Sequence, residues 1–169
     1  MSAVAIRPGR PADLALLDPI DASAAEAFAR AGQPLADGSP PAPPGHWASV
    51  LDAGLLWIAD DPEVGPVGFL AGELADGALY VEQVCVAIER QQQGLGRRLM
   101  QVAIDWARRE GLAAVTLTTF RAIAWNAPFY ASLGFVELAP GAVPAHLAGR
   151  LADEAARGFG RRCGMRLAL

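Results

Sequence analysis

Residues 90–100 read RQQQGLGRRLM. Within them Gln91, Gly94 and Gly96 form Q-x-x-G-x-G, followed at once by Arg97 and Arg98. This spacing suits an anion held on backbone amides. Glycines let the main chain turn tightly and approach a ligand closely. A helix starting there offers unsatisfied N–H groups and a partial positive charge, which favour phosphate. Arginines in a first turn oppose that dipole slightly, a misfit that a bound anion would relieve. The plain alternative is a loop-to-helix turn with solvated arginines. Other phosphate chemistries fit less well. A dinucleotide fingerprint needs a third small residue where Leu99 stands, and an acidic residue about 20 positions on, where 114–120 has none. All fourteen basic residues are arginine. Phosphate loops that depend on a lysine, and enzymes that form a lysine Schiff base, are thereby excluded.

The turn is set between a strand-like run, ALYVEQVCVAI (78–88), and a helix-like run over 95–110 whose Leu95, Leu99, Val102, Ala103 and Trp106 recur at helical spacing. Upstream, VAIR (4–7) reads as a strand. Residues 11–32 read as a helix with Pro11 at its start and Gly32 at its end; Pro19 inside it divides it into two segments if it acts as a breaker. Residues 33–45, QPLADGSPPAPPG, are a proline-rich surface loop or lid. HWASVLDAG (46–54) is a short helix stopped by Gly54. LLWIAD (55–60) and VGFLAGEL (67–74) are strands, the latter joined to the next by a hairpin at ADG (75–77). Downstream come a strand at 113–120, a short helix at 126–134, a strand at 135–138, an amphipathic helix at 146–158 and a last strand at 162–169. The consecutive hairpin strands argue for a mixed sheet of the α/β or α+β kind, in one domain spanning 1–169.

The composition agrees. The chain has 169 residues, 53% of them hydrophobic, so it can bury a core. A net charge of −4 argues against a nucleic-acid partner. No apolar run is long enough to span a membrane, and MSAVAIRPGRPAD lacks the apolar core of a secretion signal. A cytoplasmic protein is expected. Cys85 and Cys163 sit in apolar strand contexts and read as reduced core residues, with no metal site implied.

Two segments carry a resemblance. VCVAIERQQQGLGRRLM resembles the acetyl-CoA-binding segment of the GNAT family of N-acetyltransferases, a strand followed by [Q/R]-x-x-G-x-[G/A] opening a helix. TLTTFRAIAWNAPFYASLGF (116–135) is similar to that family's strand–loop–helix ending in Y-x-x-x-G-F, here Tyr130, Gly134 and Phe135. The order and spacing of both segments match. The resemblance implies the GNAT acyl-CoA N-acyltransferase fold, a central mixed sheet splayed around the cofactor, and acetyl transfer from acetyl-CoA to a primary amine of a small molecule or peptide. A GNAT-fold module that binds acyl-CoA without catalysis, as a sensor or partner protein, is the competing reading.

Residue by residue, the resemblance implies that Cys85, Val86, Ala87 and Ile88 pair their backbone with the pantetheine arm. Gln91, Gln92, Gln93, Gly94, Leu95, Gly96, Arg97 and Arg98 would surround the pyrophosphate, chiefly through amides. The Val86 N–H would hold the oxyanion, and Tyr130, at the family's acid position, would protonate the departing thiolate; otherwise Tyr130 is a core aromatic. Many family members carry an Asn seven residues before the Tyr. Ile123 stands there, and Asn126, four before, either reaches the cofactor or caps a helix. Glu82, four residues before Val86 on the same strand face, is the first candidate for the base, with Glu73 second and His46 and Glu26 weaker; Glu82 also reads as a solvated sheet residue. Phe28, His46, Trp47, Phe69, Tyr80 and Trp125 could line the acceptor pocket, and each also reads as core. Asp13, Asp18, Asp21 and Glu26 allow a polycationic acceptor without requiring one. The apolar last strand, RCGMRLAL, is expected at a sheet edge, which would invite a homodimer.

Overall fold

A computed structural model describes residues 4–31 and 42–169. Residues 33–41 of the expected loop or lid lie outside the described residues. The elements in chain order are β1 (Ala5–Pro8), α1 (Leu14–Arg30), α2 (His46–Asp52), β2 (Leu56–Asp61), β3 (Gly65–Ala75), β4 (Ala78–Val86), α3 (Leu95–Arg109), β5 (Ala114–Phe120), α4 (Ala127–Ala131), β6 (Val136–Glu137), α5 (Ala145–Ala156) and β7 (Arg162–Ala168). Short 3-10 turns precede α1, follow β4 and precede α5. The strands form a mixed sheet in the order β1-β2-β3-β4-β5-β7-β6. The chain divides into two compact units, Met1–Gly72 with Gln83–Ala103, and Glu73–Glu82 with Ile104–Leu169.

In the first unit, β1 pairs antiparallel with β2 from Ala5↔Asp60 to Pro8↔Trp57. β2 pairs antiparallel with β3, with a register shift between Ala59 and Asp60. Phe69, Leu70, Ile58 and Leu17 are fully buried. Burial of such a side chain contributes roughly 1.5–3 kcal/mol. The entry to α1 is held by charge: Arg7 donates to both Asp13 oxygens and to Asp60, and the Arg10 amide donates to Asp13.

Pro19 does not break α1, which runs unbroken from Leu14 to Arg30. The proline deprives only the Ala15 carbonyl of its helical donor. Both residues are on the exposed face, which leaves that carbonyl on the solvent side, while Leu17 and Ile20 on the other face are buried.

In the second unit, β4 and β5 pair in parallel from Ala78↔Ala114 to Val81↔Leu117. β5 pairs antiparallel with β7 along its whole length, Ala114↔Ala168 to Phe120↔Arg162. β6 then pairs antiparallel with β7. The last strand is therefore not the edge, contrary to the expectation from its sequence. It is inserted between β5 and β6, and its apolar side chains Cys163 and Met165 go to the core. The argument for a homodimer through that strand falls with its edge position.

In α3 the buried stripe is Leu95, Leu99, Met100, Ala103, Ile104 and Ala107. Val102 and Trp106, expected on that stripe, are only half-buried. The helical period is right, but the buried face is rotated from the one the largest side chains suggested.

Candidate functional site

The end of β4 and the start of α3 lie in the first unit and form a cradle of backbone groups. The Ala87 N–H donates to the Val67 carbonyl at 2.9 Å. By antiparallel alternation the N–H and C=O of Val86 point the other way, away from β3. The Val86 carbonyl accepts from the Gln91 side chain at 3.0 Å. The Ile88 N–H donates to Ser23 Oγ at 3.1 Å, and the Ala87 carbonyl accepts from the Arg90 N–H at 2.8 Å. The expectation that the whole Cys85–Ile88 backbone is open to a ligand is thus narrowed. The amides of Ala87 and Ile88 serve the fold, whereas that of Val86 faces outward from β3. A close approach makes this possible. A Cβ on Gly68 would sit 2.8 Å from the Cys85 carbonyl oxygen, so glycine alone lets β3 run this near the end of β4.

The turn itself uses positive φ at Gln92 (61°) and Gly94 (78°). The Arg98 N–H is the first to close a helical bond, donating to the Gly94 carbonyl at 3.1 Å. The preceding amides, at the N-terminus of α3, have no carbonyl one turn earlier within the helix. Leu95 is buried and anchors the helix, so only its amide is left to meet a ligand. Gln93 donates from its side chain to the Glu89 carbonyl at 3.4 Å, and Gln91 is committed to Val86. Arg97 is exposed. Arg98, expected near the pyrophosphate, donates one side-chain N–H to the Val4 carbonyl at 2.6 Å. A basic residue outside the expected set, Arg90, pairs with Asp61 at 2.9 Å. The Asp61 carboxylate also accepts the Glu63 and Val64 amides; the Glu63 bond, then Arg90, lower its pKa. Arg90 stands beside Gln91 in sequence, but nothing local signals a partner 29 residues earlier.

Behind β4, α1 supplies a set of contacts that the sequence does not reveal. Asp21 accepts from Gln83 Nε2 at 2.5 Å and from the Cys85 thiol at 3.2 Å. Burial raises the Asp21 carboxyl above its ordinary range, against the lowering effect of these two bonds. Burial likewise pushes the Cys85 thiol well up, so it stays protonated. Among the expected pocket residues, the first unit brings His46, Trp47 and Phe69 together. The Trp47 ring lies 4.9 Å from His46 and 5.5 Å, edge-on, from Phe69. The Trp47 indole N–H donates to Asp18 at 2.9 Å. Phe28 is half-buried on α1.

The remaining expected residues lie in the second unit. Tyr130 is half-buried on α4, with edge-on contacts to Phe129 at 5.1 Å and Phe135 at 5.9 Å. Its N–H donates to the Asn126 carbonyl at 3.0 Å. Asn126 occupies the N-cap position of α4 but makes no side-chain capping bond; its Oδ1 accepts from Thr119 at 2.9 Å. Trp125 is 44% exposed. Tyr80, expected in a pocket wall or in the core, is buried. Its hydroxyl bonds Thr118 Oγ1 at 3.3 Å, and Thr118 in turn donates to Glu154 at 2.7 Å. Glu82 is half-buried on β4. Glu73, the second candidate for the base, is committed to an ion pair with Arg150. Among the described residues no group of three His, Cys, Asp or Glu side chains is placed to hold a metal ion, and no helix is long and apolar enough to cross a membrane.

Comparison with known proteins bears on the family and the fold. The model of the acetyltransferase (GNAT) family matches residues 24–135. A protein named as a probable N-acetyltransferase camello from Xenopus tropicalis is 34% identical over 94 residues, covering 52% of this chain and 43% of that protein. Its Xenopus laevis counterpart is 35% identical over 82 residues, 47% of this chain and 37% of that one. The chain thus spans less than half the length of these curated relatives. Among solved structures, the fold is shared with N-acetylglutamate synthase from Neisseria gonorrhoeae in complex with coenzyme A and N-acetyl-glutamate, at a TM-score of 0.68 and 17% identity over 100% of this chain and 36% of that one. It is also shared with a Mycobacterium tuberculosis protein in complex with CoA, at a TM-score of 0.70 and 18% identity over 98% and 99% of the two chains.

Proposed function

Because the chain belongs to the GNAT family of acetyltransferases, we propose that it transfers the acetyl group of acetyl-CoA directly to a primary amine of a small molecule or peptide. The observation that carries this reading is the turn from Gln91 to Gly96. It follows β4, opens α3, whose first-turn amides a helix leaves without acceptors of its own, and has a glycine at the positive φ of residue 94. Such an N-terminus favours a pyrophosphate.

The reaction forms an N–C bond and breaks the C–S bond of the thioester. A free alkylamine has a pKa near that of lysine, about 10.4, so its proton must be taken before it attacks. Glu82 is the proposed acceptor of that proton. The carbonyl oxygen becomes an oxyanion, which wants a fixed N–H donor; the Val86 amide is proposed for it. The departing CoA thiolate takes a proton from the Tyr130 hydroxyl. Edge-on contacts with the rings of Phe129 and Phe135 support this reading, since they restrict the Tyr130 ring.

The test is calorimetric titration with acetyl-CoA, with NAD as the control and Gly94→Val as the companion variant. We expect micromolar binding of acetyl-CoA alone, weakened at least about tenfold by Gly94→Val, and then thiol release on adding an amine. Absence of acetyl-CoA binding in the unmodified protein would overturn the assignment.

A further inference from the structure

α5 carries His146, Arg150 and Glu154 at four-residue spacing, so all three share one side of the helix. Their contacts are with the sheet of the second unit. The His146 ring lies 4.9 Å from the Tyr80 ring, edge-on. The Arg150 guanidinium carbon lies over the same ring, 5.2 Å from its centroid, and the group donates to Glu73. Glu154 takes bonds from Thr118 at 2.7 Å and Arg162 at 2.8 Å. A helix ordinarily turns apolar residues to a sheet, and charges placed there lose hydration. Polar residues at three successive turns therefore call for a use.

Glu154 has one within the fold, since its carboxylate is shared between Thr118 and Arg162. Arg150 and His146 are less fully used. A guanidinium carries five N–H donors in a rigid fork, and Glu73 is the carboxylate bonded to it among the described residues. The Arg150 side chain remains 36% exposed, so its other donors are reachable. The Tyr80 ring on one side and the ion pair with Glu73 limit its freedom. His146 Nε2 is buried without a hydrogen-bond partner among the described residues, 3.8 Å from Glu73 Oε2. Glu82 lies on the same strand face as Tyr80, two residues on. Burial works against the Arg150 charge, but the bond to Glu73 and the neighbouring charges, Glu82 among them, outweigh it and keep the guanidinium above its ordinary range.

The arrangement sets a preorganised cation with spare donors close to a carboxylate. We infer that Arg150, assisted by His146, binds a carboxylate of the acceptor, and that the acceptor is an amino acid with its amine and carboxylate close together. This rests on the reading of Glu82 as the group that takes the amine proton. Charge supports the choice. A simple amine cation would meet Arg150 as a like charge, and a dianion would meet Glu73 and Glu82. An amino acid brings both signs and can place each against its opposite.

The test is calorimetric titration of the full chain with each common L-amino acid, with and without saturating CoA. The tightest binder is then compared with its α-carboxamide, in the unmodified protein and in Arg150→Gln and Arg150→Lys. We expect the carboxamide to bind at least tenfold more weakly than the acid. Arg150→Gln should abolish that ratio. Arg150→Lys, which keeps the charge but not the fork, should leave an intermediate one. Equal binding of acid and carboxamide, no binding of any amino acid, or an unchanged ratio in Arg150→Gln would overturn the inference. CoA binding is scored in the same titrations. Its loss counts against the transfer reaction, whereas the acid-to-carboxamide ratio bears on Arg150 alone.

Discussion

At the scale of single residues, the proposed chemistry turns on one hydroxyl. Tyr130→Phe keeps the ring, and with it the contacts to Phe129 and Phe135. It removes the proton offered to the thiolate. Turnover should fall about a hundredfold, the low end for general acid catalysis, with acetyl-CoA affinity nearly unchanged in the same titration. Unchanged turnover would take Tyr130 out of the reaction. A stability prediction concerns Asp13, which is buried against Arg7. The bond from Arg7, against an opposing effect of burial, holds its carboxyl below the usual range. A depressed pKa means the pair stabilises the fold fully above the unfolded value of about 3.9, and the contribution is lost as pH falls through the folded value. Asp13→Asn should cost about 3 kcal/mol at neutral pH, as for a severed buried pair. In urea titrations the gap between the two proteins should close below about pH 4. Single residues were also where sequence reasoning was weakest. Tyr130, Gly94 and Gly96 stand in motifs and could be found. The contacts of Asp21, Arg90 and Arg150 could not, because each is made with a partner distant in sequence: Gln83 and Cys85, Asp61, and Glu73.

At the scale of elements, the feature that shapes the cradle is the contact of β3 with the end of β4. Gly68→Ala would bring a Cβ to 2.8 Å from a backbone oxygen, which cannot rotate away. We expect a loss of about 1–3 kcal/mol from overpacking. Acetyl-CoA binding should also weaken, because the displaced backbone carries Val86. A variant of normal stability and affinity would show that β4 yields freely there. Most elements were legible because their periods and stop signals are local. The hairpin from β3 to β4, α2 before Gly54 and α3 after its glycines all stand near their expected bounds. Two readings failed for reasons that are not local. A proline is tolerated where the carbonyl it orphans is on a solvent-exposed helix face, as Ala15 is in α1. An apolar last strand resembles an edge until the sheet order is known, and β7 is placed between β5 and β6 by pairings that no short window contains.

At the scale of the whole molecule, each compact unit contains one cysteine, Cys85 in the first and Cys163 in the second. Both are free and buried, and burial raises the pKa of each. A protonated, enclosed thiol reacts slowly with alkylating reagents. Modification must therefore wait for the surrounding structure to open, and its rate reports how often it does. The chain thus carries two built-in clocks. Mass spectrometry after timed alkylation would time the opening of each unit separately, with no cysteine introduced.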